Sequence, residues 1–249
     1  LGTVIPPSIT FIIYGMITGE SIGDLFLSGI VPGLIFGFML CIMVFIKSKK
    51  NGWKGDTQRA SLKEIGRLFL DTIWGLLSPV IVLGGIYSGL FTPTEAAAVA
   101  VVYSLIVGIF IYKELRLTEL KETLFSTAKT TGMILLIIMN AGIFSWVLTQ
   151  QGIAASLTEM ALALTDNRYI MLFIINIVFL CAGCVMDNTS ALYILVPIIM
   201  PIAKALDINM IQLGVILVLN LSIGQVTPPV GPNLYVAADI GKVKFEEIC

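Results

Sequence analysis

Histidine is absent from this sequence of 249 residues, and charge is scarce, with Asp, Glu, Lys and Arg making up 12%. Without histidine there is no Cys₂His₂ zinc site, no Ser-His-Asp triad and no imidazole proton shuttle. There are four cysteines. The close pair Cys181 and Cys184, in FLCAGCVM, lies in an apolar stretch with no second pair, so it reads as small residues packed in a helix. No basic, aromatic-interleaved segment is present, and no nucleic-acid partner is expected. A leader with a charged start and a cleavage site is not expected either, because both ends look cut. With Leu1 first and KFEEIC last, the chain is expected to be a fragment of a longer one.

What is abundant is apolar: 57% of the residues are hydrophobic and the mean hydropathy is +0.97. Soluble domains are about a quarter charged, so the composition predicts an all-α integral membrane protein. Stretches near the roughly 20 apolar residues a spanning helix needs occur at 28–46, 73–90, 95–112, 130–149 and, as one long broken span, 169–204. Residues 47–67 carry Lys47, Lys49, Lys50, Lys54, Arg59, Lys63 and Arg67 against Asp56 and Glu64, which makes this connector cytoplasmic by the positive-inside rule. Leu117, Leu120, Leu124 and Phe125 recur at helical spacing within 114–127, predicting an amphipathic arm helix on the membrane surface. Leu157, Met160, Ala161 and Leu164 hint at a shorter one on the opposite side.

Two apolar stretches, 1–19 and 211–240, are each split near the middle by glycine and a Pro-Pro pair. Proline cannot sit quietly inside a helix, and unpaired backbone cannot face lipid, so each reads as a re-entrant hairpin with Pro-Pro at its tip. LGTVIPPS (1–8) and IGQVTPPV (223–230) share the glycine, the valine and both prolines at one offset. Tyr14 and Tyr235 align after one deletion, and 21–26 aligns loosely with 242–247. Five crossings between the hairpins make them enter from opposite sides. The flanking charge agrees, with Glu20 and Asp24 after the first and Lys242 and Lys244 after the second. An inverted repeat with paired broken segments points to a secondary transporter whose site lies where the breaks meet.

Asp187, in CVMDNTSALYILVP, sits between two apolar halves, near the bilayer midplane, where a lone carboxylate is a functional candidate. Asn188, Thr189 and Ser190 add oxygen-bearing side chains, a setting that suits a hard cation such as Na⁺. The same aspartate can simply cap the helix from 188 onward, and the two roles are compatible. Pro197 and Pro201 are expected to kink that helix. Thr92, Pro93 and Glu95 read as a capping box rather than a ligand set. Gly2, Thr3, Ser8, Gly224, Thr227 and Asn233 flank the tips. There glycine permits close backbone approach and proline leaves neighbouring carbonyls unbonded. Inward carbonyls make a cation site, and helix N-termini beyond a tip favour a carboxylate.

LGTVIPPSI, FTPTEAAAVAV, MDNTSA and TPPVGPNLYVA, in this order along essentially the whole chain, resemble the large membrane subunit of tripartite ATP-independent periplasmic (TRAP) transporters. The resemblance implies an inverted-repeat elevator-type fold in the bacterial inner membrane, driven by a sodium gradient and needing no cofactor. It also implies a small four-helix membrane subunit and a periplasmic solute-binding protein that delivers an organic acid, such as a C4-dicarboxylate or sialic acid. Carried over, backbone at Gly2, Val4 and Pro6 lines one sodium site, and Asp187 with backbone around Gly224, Val226 and Pro229 forms the other. The first site is further expected to take side chains from a helix preceding residue 1, so this chain alone is not expected to transport. Thr3, Ser8, Asn188, Thr189, Thr227 and Asn233 are the candidates for holding the solute or shaping the tips.

The expected organisation is a first hairpin and helix (1–46), a basic connector (47–72), and a second repeat (73–249) carrying the arm and the second hairpin. Two alternatives compete. A citrate- or dicarboxylate-type divalent-anion/sodium symporter shows Ser-Asn-Thr at its tips, where this chain has Pro-Pro. A membrane-embedded aspartyl enzyme needs two facing aspartates, and Asp187 has no obvious partner at its depth.

Overall fold

The computed structural model describes residues 1–53 and 61–245, and among them every regular element is helical. The order is α1 (Ile9–Thr18), α2 (Ile22–Asn51), α3 (Leu62–Tyr87), α4 (Pro93–Ile106) extended by a π-helical turn (Val107–Ile111), α5 (Leu117–Gln150) and α6 (Ile153–Leu164). They are followed by α7 (Arg168–Val185), α8 (Asn188–Ala205), α9 (Met210–Gly224) and α10 (Pro232–Gly241). Among the described residues six helices are long and apolar enough to cross a membrane by length and composition: α2, α3, α4 with its π turn, α5, α7 and α8. The chain divides into two compact units, residues 1–32 with 130–249 and residues 33–129.

In the first unit α7 packs most extensively on α9, and α1 lies against α8 and α9. Phe11, Tyr14, Leu25, Phe26, Phe179, Leu192, Leu217 and Leu221 are all but inaccessible. Phe11 meets Phe26 edge-on, ring centroids 6.5 Å apart, and the buried Tyr14 hydroxyl donates to the carbonyl of Met210 at 2.6 Å. Hydrocarbon gives apolar helices little reason to associate, so close packing and interhelical hydrogen bonds must hold them together. Asn220 on α9 supplies one such bond, donating its amide to Asn176 Oδ1 on α7 at 2.6 Å. Backbone contact supplies another: a Cβ on Gly224 would stand 2.6 Å from Gly183 Cα.

The second unit is built on α3 and α4. Tyr103 donates to the Trp74 carbonyl at 2.6 Å, and the Tyr112 hydroxyl bridges one turn of α3, donating to Asp71 O and accepting from Gly75 N–H. The π turn precedes Tyr112 directly. Thr92, Pro93 and Glu95 form the expected capping box: the Thr92 hydroxyl accepts from Glu95 N–H, and the Glu95 carboxylate accepts from Thr92 N–H at 2.8 Å. That engagement accounts for a glutamate in apolar surroundings without a ligand.

Three expectations change. Residues 169–204 are not one broken span but α7 and α8, separated by extended backbone at Met186 and Asp187, where Asp187 caps a new helix. With two helices of 18 residues there, six helices of spanning length separate the tips, an even number that by itself returns the chain to the same face, so opposite entry rests on flanking charge against that count. The arm at 114–127 is not a separate surface helix, because residues 117–150 contain no proline and run on as α5. The basic connector is largely helical as well, since α2 reaches Asn51 and α3 starts at Leu62, while Lys54, Asp56 and Arg59 fall outside the described residues. So do Glu246 and Glu247 of the loose match at 242–247. Pro197 and Pro201 lie inside α8, whose helix continues through both.

Candidate functional site

Residues 1–8 fold back on themselves before α1. The Leu1 carbonyl accepts the N–H groups of Val4 and Ile5, both at 2.9 Å. Ser8 caps α1, its hydroxyl oxygen accepting from Phe11 N–H at 3.4 Å while its own proton goes to the Thr3 carbonyl at 2.5 Å. Among the described residues no hydrogen bond reaches the carbonyls of Gly2, Val4 or Pro6. Val4 and Pro6 are buried and Gly2 is exposed. At the far end of α1, Gly19 stops the helix in the left-handed conformation. Ten residues of helix rise about 15 Å, half the hydrocarbon core, so α1 is too short to span it.

The second Pro-Pro turn joins α9 to α10. Thr227 N–H donates to Gly224 O at 2.9 Å, and its hydroxyl donates to Ile223 O. Asn233 closes the turn from the other side, its backbone N–H donating to Gln225 O and its amide to Gln225 Oε1, both at 3.1 Å. Val226 and Pro229 are exposed, and among the described residues their carbonyls accept no hydrogen bond. The Pro6-Pro7 and Pro228-Pro229 peptide bonds are both cis. The match between the two stretches does not extend to the tyrosines: Tyr14 is buried, whereas Tyr235 is exposed and stacks on Phe245.

The second turn is fastened to the end of α7. Cys184 O, one of the last carbonyls of that helix, accepts from Val230 N–H at 3.1 Å and Gly231 N–H at 3.3 Å. Three residues later Asp187 caps α8, its Oδ2 accepting from Ser190 N–H at 3.1 Å, and the carboxylate is exposed. Asn188 behaves differently. It is 5% exposed, and neither its Oδ1 nor its Nδ2 has a partner. Leaving a polar group buried and unbonded costs about 1–3 kcal/mol, so this amide is kept at a cost. Thr189 beside it is half-buried.

A residue the sequence did not single out connects the two tips. Ser222, 7% exposed near the end of α9, lies 2.7 Å from the Thr3 hydroxyl across 219 positions of sequence. Gly183 was also missed, although its place in a run of small residues, CAGC, was the available signal. Thr3, Ser8, Gly224, Asp187 and Asn188 therefore lie where the ends of α1, α7, α8 and α9 converge. Asn233, Val226 and Pro229 are exposed. Among the described residues no group of three His, Cys, Asp or Glu side chains gathers as a metal cage. A cavity of about 330 Å³ opens between α5 and α8, lined by Leu136, Asn140, Phe144, Ser190, Tyr193 and Ile194. Its lining is chiefly apolar and holds no basic side chain, a poor match to a carboxylate.

The family model described as the tripartite ATP-independent periplasmic transporter, DctM component, matches residues 1–249. A C4-dicarboxylate TRAP transporter large permease protein of Pseudomonas aeruginosa is 44% identical over 240 residues, covering 96% of this chain and 56% of that protein. An isethionate TRAP transporter permease protein of Oleidesulfovibrio alaskensis is 40% identical over 248 residues, covering 100% of this chain and 39% of the relative. A sialic acid TRAP transporter large permease protein of Vibrio cholerae is 37% identical, covering 100% of this chain and 58% of the relative. The chain thus spans about two fifths to three fifths of the length of these relatives. They are transporter permease subunits rather than enzymes, which sets aside both the aspartyl-enzyme and the citrate-type symporter alternatives. With six apolar helices of spanning length, this is a multi-pass protein of the bacterial inner membrane, and the chain belongs to the DctM component family of TRAP transporters.

Proposed function

We propose that this chain forms the ion- and solute-handling part of a TRAP large permease that couples sodium entry to uptake of an organic anion. The observation that carries the reading is the pair of Pro-Pro turns at which helix ends meet with unbonded carbonyls. Gly2, Val4 and Pro6 offer three such oxygens at the first turn; Val226 and Pro229 offer two at the second, which is fastened to Cys184 O three residues before the exposed Asp187 carboxylate. Carbonyl and carboxylate oxygens are the donor set a hard cation takes. α1, α8 and α10 start near these turns, and helix N-termini carry the partial positive charge that favours an anion. Cation and anionic solute can thus be held side by side without a basic residue.

The relatives are named for a C4-dicarboxylate, sialic acid and isethionate. All are organic acids, and this chain takes a solute of that class. The two turns are the tips of re-entrant hairpins, a repeat that the matched octapeptides support, and they are inserted from opposite faces, as flanking charge supports. The tip-bearing unit moves across the bilayer in an elevator-type cycle. A small four-helix membrane subunit and a periplasmic solute-binding protein complete the transporter, within a lipid bilayer that the outward apolar side chains of α2 suit, Phe38 and Phe45 among them.

The test uses the full-length permease and both partners in proteoliposomes. Replacing an inward sodium gradient by an equal potassium gradient is expected to lower solute uptake at least about tenfold, equivalent to losing roughly 1.4 kcal/mol of driving interaction. Equal uptake in the two gradients contradicts sodium coupling.

A further inference from the structure

Three buried or half-buried hydroxyls form a directed chain between the two Pro-Pro turns. Ser8, 1% exposed, donates to Thr3 O at 2.5 Å. Ser222 donates to Val218 O at 2.7 Å, the usual back-bond of a helical serine. A hydroxyl has one proton, so with Ser222 committed to Val218 the 2.7 Å contact between Thr3 Oγ1 and Ser222 Oγ has Thr3 as donor. The first and last bonds are local and would exist without the middle one. Among the described residues the Thr3–Ser222 bond is the hydrogen bond that ties the first turn to the helix leading into the second.

Its place gives that bond leverage. Thr3 lies between Gly2 and Val4, two of the three residues with unbonded carbonyls, and its own carbonyl is pinned by Ser8. Ser222 lies two residues before Gly224, which is wedged against Gly183, and that contact continues to Cys184 O, where the second turn is fastened. A shift of the first turn that reorients its carbonyls must therefore stretch the Thr3–Ser222 bond or move the end of α9. Packed backbone at Gly183 and Gly224 resists the second course, since interiors transmit strain rather than absorb it.

We infer that the Thr3–Ser222 hydrogen bond couples the two turns, so that a cation ordering one of them raises the affinity of the other, with Ser222 as a positioning residue that touches no ion. The inference rests on the sodium reading above. Coupling of this kind is reciprocal: whichever turn fills first prepares the other. An unpaired Thr3 would instead leave two independent sites.

The experiment measures uptake against external sodium with the full-length permease and its partners in proteoliposomes. Wild type is expected to give a Hill coefficient approaching 2, the number of turns, because cooperative binding is bounded by the number of sites. Thr3→Val and Ser222→Ala are each expected to bring it toward 1 and to raise half-saturating sodium roughly fivefold, the lower end of ordinary allosteric coupling. The double variant should be no worse than either single one, since both remove the same bond. Thr3→Ser, which keeps the donor, should restore the steep curve, a rescue that generic loosening of the packing does not explain. For any variant that transports too slowly, the sodium dependence of thermal unfolding of the purified full-length subunit gives the same steepness. Unchanged Hill coefficients in both single variants, or effects that add in the double, overturn the coupling while leaving sodium transport intact. Wild-type uptake indifferent to sodium overturns the sodium reading and the coupling together.

Discussion

Asp187→Asn, placed in the full-length permease and reconstituted with its partners, is expected to leave α8 capped and to raise half-saturating sodium by roughly two- to thirtyfold. The substitution separates the two roles open to this residue. Asparagine caps helices about as well as aspartate, so the bond from Ser190 N–H to the side-chain oxygen at position 187 is retained. What disappears is the negative charge. Charged hydrogen-bonding groups contribute about 1.5–3 kcal/mol where neutral ones contribute about 1, and at roughly 1.4 kcal/mol per tenfold the difference of about 0.5–2 kcal/mol gives the stated range. Asp187→Ala removes the cap as well and should cost about 1 kcal/mol of stability in addition, visible as a lower unfolding temperature that Asp187→Asn does not show. A sodium curve for Asp187→Asn that overlays wild type would leave position 187 with its cap alone.

The second large effect is expected at a residue that binds nothing. Gly224→Ala should destabilise the full-length subunit by about 2–3 kcal/mol, near the upper end for overpacking. A Cβ there would lie 2.5 Å from Gly183 C, 2.6 Å from Gly183 Cα and 2.8 Å from Cys184 N. These are backbone atoms at the end of α7, and no rotamer change clears them. Relief requires α7 and α9 to part, which also pulls Cys184 O away from the N–H groups of Val230 and Gly231. Gly142→Ala on α5 is the internal control. A Cβ at that position meets nothing within 4 Å, and alanine is the better helix former by about 1 kcal/mol, so its unfolding temperature should hold or rise. Thermal unfolding in one detergent distinguishes the pair, and a Gly224→Ala subunit as stable as wild type would contradict the backbone contact between α7 and α9.

Much of this architecture could be read from residues whose chemistry acts locally. The capping box at Thr92, Pro93 and Glu95, the cap at Asp187 and the Pro-Pro turns each depend on a few neighbours, and the structure has each of them where the sequence put it. Boundaries were harder. Polar and basic residues at 114–129 suggested an independent surface helix, but helix propensity does not fall where polarity rises, and α5 runs through without a break. The Met186–Asp187 interruption was legible as a break, yet not as the boundary of two full-length helices, because two prolines further on, Pro197 and Pro201, drew attention as the expected kinks. Within the site, Ser222 carried no signal and Gly183 only the weak one of its small neighbours. A serine one turn from a helix end and a glycine among small residues are common, and they matter here only because α9 packs on α7 and the first turn reaches α9. Contacts across 219 residues leave no periodicity to read. The orphaned amide of Asn188 is a similar case: its position beside Asp187 marked it, while its burial without a partner required the fold.

The central claim is that the two Pro-Pro turns are tips of hairpins inserted from opposite faces and meeting at one site. The most direct test is single-cysteine labelling with a membrane-impermeant reagent in oriented vesicles, using a full-length permease cleared of native cysteines. Cysteines at Glu20 or Asp24, beyond the first hairpin arm, should react from one face, and those at Lys242 or Lys244, beyond the second, from the other. Reaction of all four positions from the same face would contradict the inverted arrangement and with it the site built on it.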